Sequence, residues 1–298
     1  MNLWMSIPSV AFQTNTISRN EEVSSALHVK CSRTERAENV LVQKSSDLKE
    51  MLSMYALAAL LKGEDIDWIP EVVIGCNVLS DKELVLTNIL AYVDWANLPM
   101  NVLECSDLTQ AFSYLPMIEN AGDDEAILLT LHEISKPIDR LDNKYLLGNA
   151  AAAVGFSCHP DRFAKSFRVL SVAHSQTVGD WDRTVVTIID RLLSDTKSKK
   201  KSIGWTITQK FSNSFEEIIK KYLPGAILCE RESNSETNYG CADILISVDD
   251  IFVTQRLPPI GSGIVWYISE GGTLGAILLD SDSVSLWNRY TSEIPRYA

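Results

Sequence analysis

The chain is short of positive charge, short of histidine, and without closely spaced cysteine pairs or long apolar runs, and each shortage removes a class of function. Lysine and arginine number 27 against 39 aspartates and glutamates, a formal net charge of −12. Bound phosphates would meet a repulsive field, so no nucleic-acid partner is expected. The one basic run, Lys197 to Lys201, lies between a helical segment and a strand and reads as a solvated turn. No stretch reaches the roughly eighteen apolar residues a membrane helix needs. The N-terminus also lacks a basic region followed by an apolar block and a small-residue cleavage site, so no membrane association and a cytoplasmic location are expected. The cysteines, Cys31, Cys76, Cys105, Cys158, Cys229 and Cys241, form no CxxC pair and are expected to be reduced core thiols, with neither structural zinc nor another metal.

What the chain does have is enough length and apolar content for a full core. Its 298 residues are 46% hydrophobic and 22% charged, which suits a globular protein of one large domain or two ordinary ones. Helical and strand-like segments alternate, the mark of α/β layers. Leu48, Met51, Leu52, Tyr55 and Ala59 recur at helical spacing, so Ser46 to Leu61 reads as a helix capped by Ser46 or Asp47. A strand over Glu71 to Gly75 and a helix over Leu84 to Val93 follow. A short strand, Met100 to Leu103, then delivers Glu104 and Cys105 to the next turn, and Ser106 to Glu119 continues as a helix. Ala126 to Leu131 and Ala150 to Phe156 are apolar runs of strand length.

The later part repeats this order: strand near Val169 to Ala173, helix Asp182 to Leu193, strand Gly204 to Ile207, helix Ser212 to Tyr222. It ends in strands over Gly263 to Ser269 and Gly275 to Leu279, which echo the earlier pair of apolar runs. The reading is an internal duplication, with one half over 1–160 and the other over 161–298.

In this order the segments resemble the β-ketoacyl-acyl carrier protein synthase III family of the thiolase superfamily. Arg33-Thr34-Glu35-Arg36 is similar to the family's "TGIRER". Pro137-Ile138-Asp139-Arg140 with Leu146 to Val154 is similar to "TDR…FGDGAGAAV", where small residues let a turn and strand pack closely. Gly271 to Ala276 resembles the glycine-rich "GGGFTWGSA" turn. The fold this implies is thiolase-like: two duplicated α/β halves forming a layered αβαβα arrangement.

The resemblance also implies where chemistry would sit. Glu104 to Phe112 occupies the place of "ACAGFTYAL", which makes Cys105 the candidate nucleophile. A helix N-terminus there would lower its pKa, and its amide with that of Gly271 or Gly272 would form an oxyanion hole. Against this, Glu104 and Asp107 flank it, and a nearby carboxylate raises a thiol pKa; the other reading of Cys105 is a buried relict thiol. Trp205 to Ser212 matches "WVIPHQAN", with Gln209 in the histidine's place, and Tyr239 to Asp243 matches "HGNTSAAS", with Cys241 in the asparagine's. An amide cannot exchange protons near neutrality, so general acid-base work is lost. Without that pair to stabilise an enolate, decarboxylative condensation is not expected.

None of His28, His132, His159 and His174 matches the family base, and adjacent Cys158 and His159 are not expected to act as a dyad. Asp243 lies where some acyl-transferring relatives carry an acid, and reads here as a surface or helix-capping residue. The segment Gly155 to Asp182 is shorter than the family's, which implies a reduced or open pocket.

Two functional readings follow from the resemblance. In one, the chain transfers an acyl group from a coenzyme A or carrier phosphopantetheine thioester through Cys105 in specialised, polyketide or fatty-acid-derived metabolism, with no other cofactor. In the other it is a non-catalytic partner of a ketosynthase-like subunit. Thioester hydrolysis is weaker, because no substitute base is visible. Either way a homodimer or heterodimer is implied, with Pro99 to Leu103 pairing between subunits and an acyl carrier protein as a further partner.

Overall fold

A computed structural model describes residues 3–14, 28–31, 47–63, 69–76, 89–91, 93–95, 97–121, 125–132, 141–142, 145–163, 166–176, 180–195, 203–209, 213–232, 237–254, 261–269 and 272–281. In chain order the elements are β1 (Leu3–Ser6), β2 (Ser9–Thr14), β3 (His28–Cys31), α1 (Asp47–Gly63), β4 (Val72–Cys76) and β5 (Asn101–Cys105). Then come α2 (Leu108–Ser113), α3 (Leu115–Ala121), β6 (Glu125–His132), β7 (Leu141–Asp142), β8 (Tyr145–Leu147) and β9 (Ala150–Ser157). The rest are β10 (Ser166–Gln176), α4 (Trp181–Asp195), β11 (Trp205–Thr208), α5 (Asn213–Tyr222), β12 (Ile227–Cys229), β13 (Thr237–Asn238), α6 (Asp243–Asp249), β14 (Ser262–Ile268) and β15 (Thr273–Asp280).

The main sheet runs β12-β11-β14-β15-β10-β1-β9-β6-β4-β5, with β2 added on β9 and β3 on β2, and along that ten-strand path the pairings repeat from either end. In one arm β4 is parallel to β5 and β6, and β6 is antiparallel to β9. In the other β11 is parallel to β12 and β14, and β14 is antiparallel to β15. The antiparallel pair β1 and β10 joins the arms. The echo between the two pairs of apolar runs is thus a correspondence of whole arms.

Side chains alternate between layers along each central strand. On β6, Ala126 and Leu128 enter a core shared with β4, β11 and β14, whereas Ile127, Leu129 and Leu131 pack with Leu52, Ala56, Leu57 and Leu60 of α1. On β14, Val265 and Tyr267 face the shared core, whereas Ile264, Trp266 and Ile268 meet Val185, Ile188 and Leu192 of α4 and Phe215 and Ile219 of α5. Leu108, Ala111 and Phe112 of α2 and Ile244 to Val248 of α6 fill that shared core between the arms. The layers are therefore α1, arm, α2 with α6, arm, α4 with α5, the expected αβαβα stack. Strands covered on both faces have no polar side to show, which is why they read as largely apolar runs without alternation, Thr130 apart.

Two expectations change locally. Strand β5 continues through Cys105, and the helix expected over Ser106 to Glu119 is split into α2 and α3 at Tyr114. Pro116 explains the break: it has no amide to continue the first helix but is tolerated in the first turn of the second. Of the helix expected over Leu84 to Val93, the described residues 89–91 are helical; residues 84–88 lie outside the described residues. So do Arg33 to Arg36, Pro137 to Arg140 and Lys197 to Lys201. No helix among the described residues is long and apolar enough to cross a membrane.

Close approach of backbone to aromatic rings fixes two glycines. A Cβ on Gly148 would stand 2.3 Å from the Tyr239 ring, and one on Gly263 only 1.9 Å from Trp205 Cδ2. Trp205 is fully buried, sits opposite Gly263 in the ladder, and donates its indole N–H to Gly261 O at 2.9 Å. Gly263→Ala must displace that indole and is expected to cost ~1–3 kcal/mol, read as a lower denaturant midpoint with an unchanged slope.

Candidate functional site

Parallel strands end on one side of a sheet, and in this arm β4 and β5 end on cysteines. Cys76 lies in register with Cys105 on one side and Thr130 on the other. Beyond Cys105 the chain turns into α2, whose start is closed by side chains. Asp107 is the N-cap and accepts from the Gln110 amide at 2.9 Å, while Gln110 Oε1 accepts from the Ser106 amide at 3.0 Å and its hydroxyl at 3.2 Å.

Cys105 therefore does not open a helix as expected; it closes a strand, two residues before the cap. Its thiol is 1% exposed. Burial, and then the Asp107 carboxylate, push it up to about 12. The lowering by a helix N-terminus is not realised, and the opposing influence of the acidic neighbour is.

Cys76 joins this thiol to another. Its own pKa is held well above the usual thiol range, first by a hydrogen bond with Cys241, then by burial, then by charge on Cys241, Cys105 and Asp107. Cys241 also donates to Leu131 O at 3.1 Å. It stands in a single 3-10 turn, Gly240–Ala242, that leads into α6. Gly240 has φ +52°, and a Cβ there would lie 2.1 Å from His132 Nδ1. Only glycine accepts that backbone angle with an imidazole laid against it.

Gln209, just after β11, is buried and hydrogen bonded at both ends of its amide. Its Nε2 donates to Gly240 O at 3.0 Å, and its Oε1 accepts from Ile268 N at 3.0 Å. The amide ties the ends of β11 and β14 to the turn carrying Cys241. Cys105, Gln209 and Cys241 are thus gathered at one centre, linked through Cys76 and Gly240.

The other expected positions fare differently. Gly272 (φ +74°) gives its amide to Ser269 O at 2.9 Å, within the hairpin between β14 and β15, so as placed it does not face an oxyanion. Gly271 lies outside the described residues. Asp243 is not a surface residue. It is fully buried at the start of α6, paired with Arg231 Nη1 at 3.0 Å, and accepts from the Tyr239 amide at 3.1 Å. Cys158 and His159 follow β9, whose Ser157 pairs with Glu125 at the start of β6, so they sit at the far end of the sheet from the thiols. His28 is in β3 opposite Thr14, and His174 is exposed in β10 opposite Gly275.

Three residues of this centre had no signal in the sequence beyond their types: Cys76, His132 and Tyr267. Tyr267 projects from β14 into the shared core with its ring centroid 5.0 Å from that of Phe112 on α2. Burial raises its phenol pKa first, and the charges of Asp107 and Cys76 add to that. Among the described residues no group of His, Cys, Asp or Glu is arranged to hold a metal ion.

No protein-family model and no curated protein sequence matches the chain. Solved structures do. The acyltransferase ChlB3 superposes with TM-score 0.67 at 13% identity, over 96% of this chain and 99% of that one. The 3-oxoacyl-(acyl carrier protein) synthase III FabH from Pseudomonas aeruginosa PAO1 gives 0.60 at 12%, over 79% and 84%. A cysteine-to-serine variant of Xanthomonas campestris OleA, solved with lauric acid and lauroyl-CoA, gives 0.59 at 12%, over 94% and 99%. At these identities the likeness establishes the fold, which is thiolase-like.

Proposed function

We propose that this chain is the non-condensing member of a pair of thiolase-fold subunits that process acyl thioesters of coenzyme A or carrier phosphopantetheine. One observation carries the reading: Gln209, in the position the resemblance gives to the general base, has both ends of its amide in structural hydrogen bonds, and burial keeps the Cys105 thiol neutral. Condensation and transacylation both need a proton acceptor or a thiolate at this centre. The similarity to condensing and acyl-transferring enzymes supports the substrate class.

The docking surface in this proposal is β5, the last strand of its arm. Asn101, Val102 and Glu104 are exposed along it, with Val102 at 43%, and Ile69 and Met117 are also exposed apolar side chains. A strand left unpaired at a sheet edge invites a further strand, and the partner is a homologous subunit carrying the complete Cys–His–Asn set. Val102→Lys is expected to weaken co-purification with such a subunit at least about tenfold, with the chain's own melting temperature unchanged. A complex that survives Val102→Lys intact sinks the docking surface; a chain that instead pairs only with itself, by light scattering, shows a homodimer.

Acyl transfer through Cys105 is the second reading, favoured by the place of its sulfur at a strand end beside two further thiols. It requires an adduct on Cys105 after incubation with acyl thioesters, absent from Cys105→Ala.

A further inference from the structure

Three thiols meet at the ends of the strands, and two of them are in contact. Cys76, Cys105 and Cys241 are free and buried in the shared core. Cys76 and Cys105 stand opposite each other in neighbouring parallel strands. Side chains in that relation leave the sheet side by side, their β-carbons about 4.8 Å apart, which is wider than the ~3.8 Å typical of a disulfide. Cys241 arrives from the turn before α6 instead. Its sulfur is 3.1 Å from Leu131 O, one residue past the Thr130 that pairs with Cys76, and it is hydrogen bonded with the Cys76 thiol. No sheet ladder holds Cys241: its backbone is a single 3-10 turn entered through Gly240, so a shift of that turn brings the two sulfurs together.

We propose that Cys76 and Cys241 are a disulfide-forming pair, closed by hydrogen peroxide while Cys105 stays a thiol. Cys241 meets the oxidant first, being 8% exposed where Cys76 is 0%. Its sulfur attacks one peroxide oxygen: the S–O bond forms, the O–O bond breaks, and the departing hydroxide takes the thiol proton as water, leaving a sulfenic acid. The Cys76 sulfur then attacks the Cys241 sulfur: the S–S bond forms, the S–O bond breaks, and the hydroxide leaves with the Cys76 proton as a second water. The new bond replaces the hydrogen bond from Cys241 to Leu131 O and ties the turn that carries Cys241 to β4. It requires neither a partner on β5 nor an acyl group on Cys105, so it stands apart from both functional readings.

The folded full chain is treated with hydrogen peroxide, quenched with catalase, then unfolded in urea with iodoacetamide and digested for peptide mapping. Two of the six cysteines are expected to escape alkylation, in one cross-linked peptide that joins Cys76 to Cys241, weighs about 2 Da less than the two thiol peptides together, and separates on reduction. Oxidation of the urea-unfolded chain is expected to yield at least tenfold less of this peptide, because there every cysteine competes. Cys105→Ser is expected to cross-link as wild type does, and Cys241→Ser to leave Cys76 alkylated. The wild-type map identifies the pair by itself, so a serine variant that fails to fold does not remove the test. A link from Cys76 or Cys241 to Cys105 or any other cysteine, a Cys241 that stops at sulfinic acid, an equal yield in urea, or six intact thiols after exposure would each overturn the proposal.

Discussion

Cys105 in the folded chain is expected to be alkylated by iodoacetamide about a thousandfold more slowly at neutral pH than in the unfolded chain. Only the thiolate reacts, and moving its pKa from 9.0 to about 12 cuts the thiolate fraction by that factor wherever both states are mostly protonated. Burial to 1% exposure slows it further. Peptide mapping after timed alkylation, in buffer and in urea, measures the ratio directly. The folded-state rate should climb tenfold per pH unit until the fold itself fails. Asp107→Asn should recover only the smaller part of the shift, since burial is its first cause. If Cys105 instead reacts as an ordinary thiol, or takes an acyl group from a thioester at neutral pH, the non-catalytic reading is wrong and Cys105-dependent transfer replaces it.

The same shift has a sign for stability. The folded chain keeps the Cys105 proton up to about 12, whereas the unfolded chain releases it near the usual thiol value. Its contribution to stability is therefore complete below that usual value and is lost as pH rises toward about 12. Cys76 and Tyr267, both raised, act in the same direction, so alkaline unfolding should set in within this window.

The layers of the fold were legible because buried strands and amphipathic helices have periods that survive in a sequence. Ala126 to Leu131 and Ile264 to Ile268 are apolar on both faces, and α4 and α5 carry one apolar face each. Helix α6 was hidden for the opposite reason. All seven of its residues, Asp243 to Asp249, are buried, so a segment of mixed polarity sits in the core with no amphipathic stripe to announce it. Strand β1, which joins the arms, is only Leu3–Ser6, too short for periodicity to register.

The site was legible only as positions. Family resemblance located Cys105, Gln209 and Cys241, and the structure gathers them. Resemblance does not report what each side chain bonds to, and that decides the chemistry. Gln209 became a strut because Gly240 O and Ile268 N are both within its reach. Cys76 was invisible because its role arises from register: it is brought between Cys105 and Cys241 only when β4 is laid beside β5. His132 reaches the turn of Cys241 because Gly240 has no side chain, a contact between residues more than a hundred positions apart in the chain.

Asp243→Ala is expected to cost ~3–5 kcal/mol of folding stability, because it strands a buried guanidinium. Arg231 and Asp243 are each wholly buried, their side chains joined at 3.0 Å. The same carboxylate oxygen accepts the Tyr239 amide at 3.1 Å, and Arg231 also donates to Thr237 O and stacks 5.3 Å from the Tyr239 ring. These contacts clamp β13 and the turn holding Gly240 and Cys241 onto the start of α6, so the pair positions the candidate site without touching a substrate. Asp243→Asn keeps the shape but removes the charge and should also destabilise, more mildly. Replacing both members, Arg231→Met with Asp243→Leu, should recover most of the loss, since neither charge is then left unpaired. Urea unfolding of the two single variants and the double variant measures that coupling. A catalytic acid would behave in the opposite way, with Asp243→Asn folding as firmly as wild type while any acyl transfer disappears. Strong positive coupling in the cycle would identify the carboxylate as the partner of Arg231, and the acid that the resemblance placed near the missing asparagine would then be a clamp on the turn that carries Cys241.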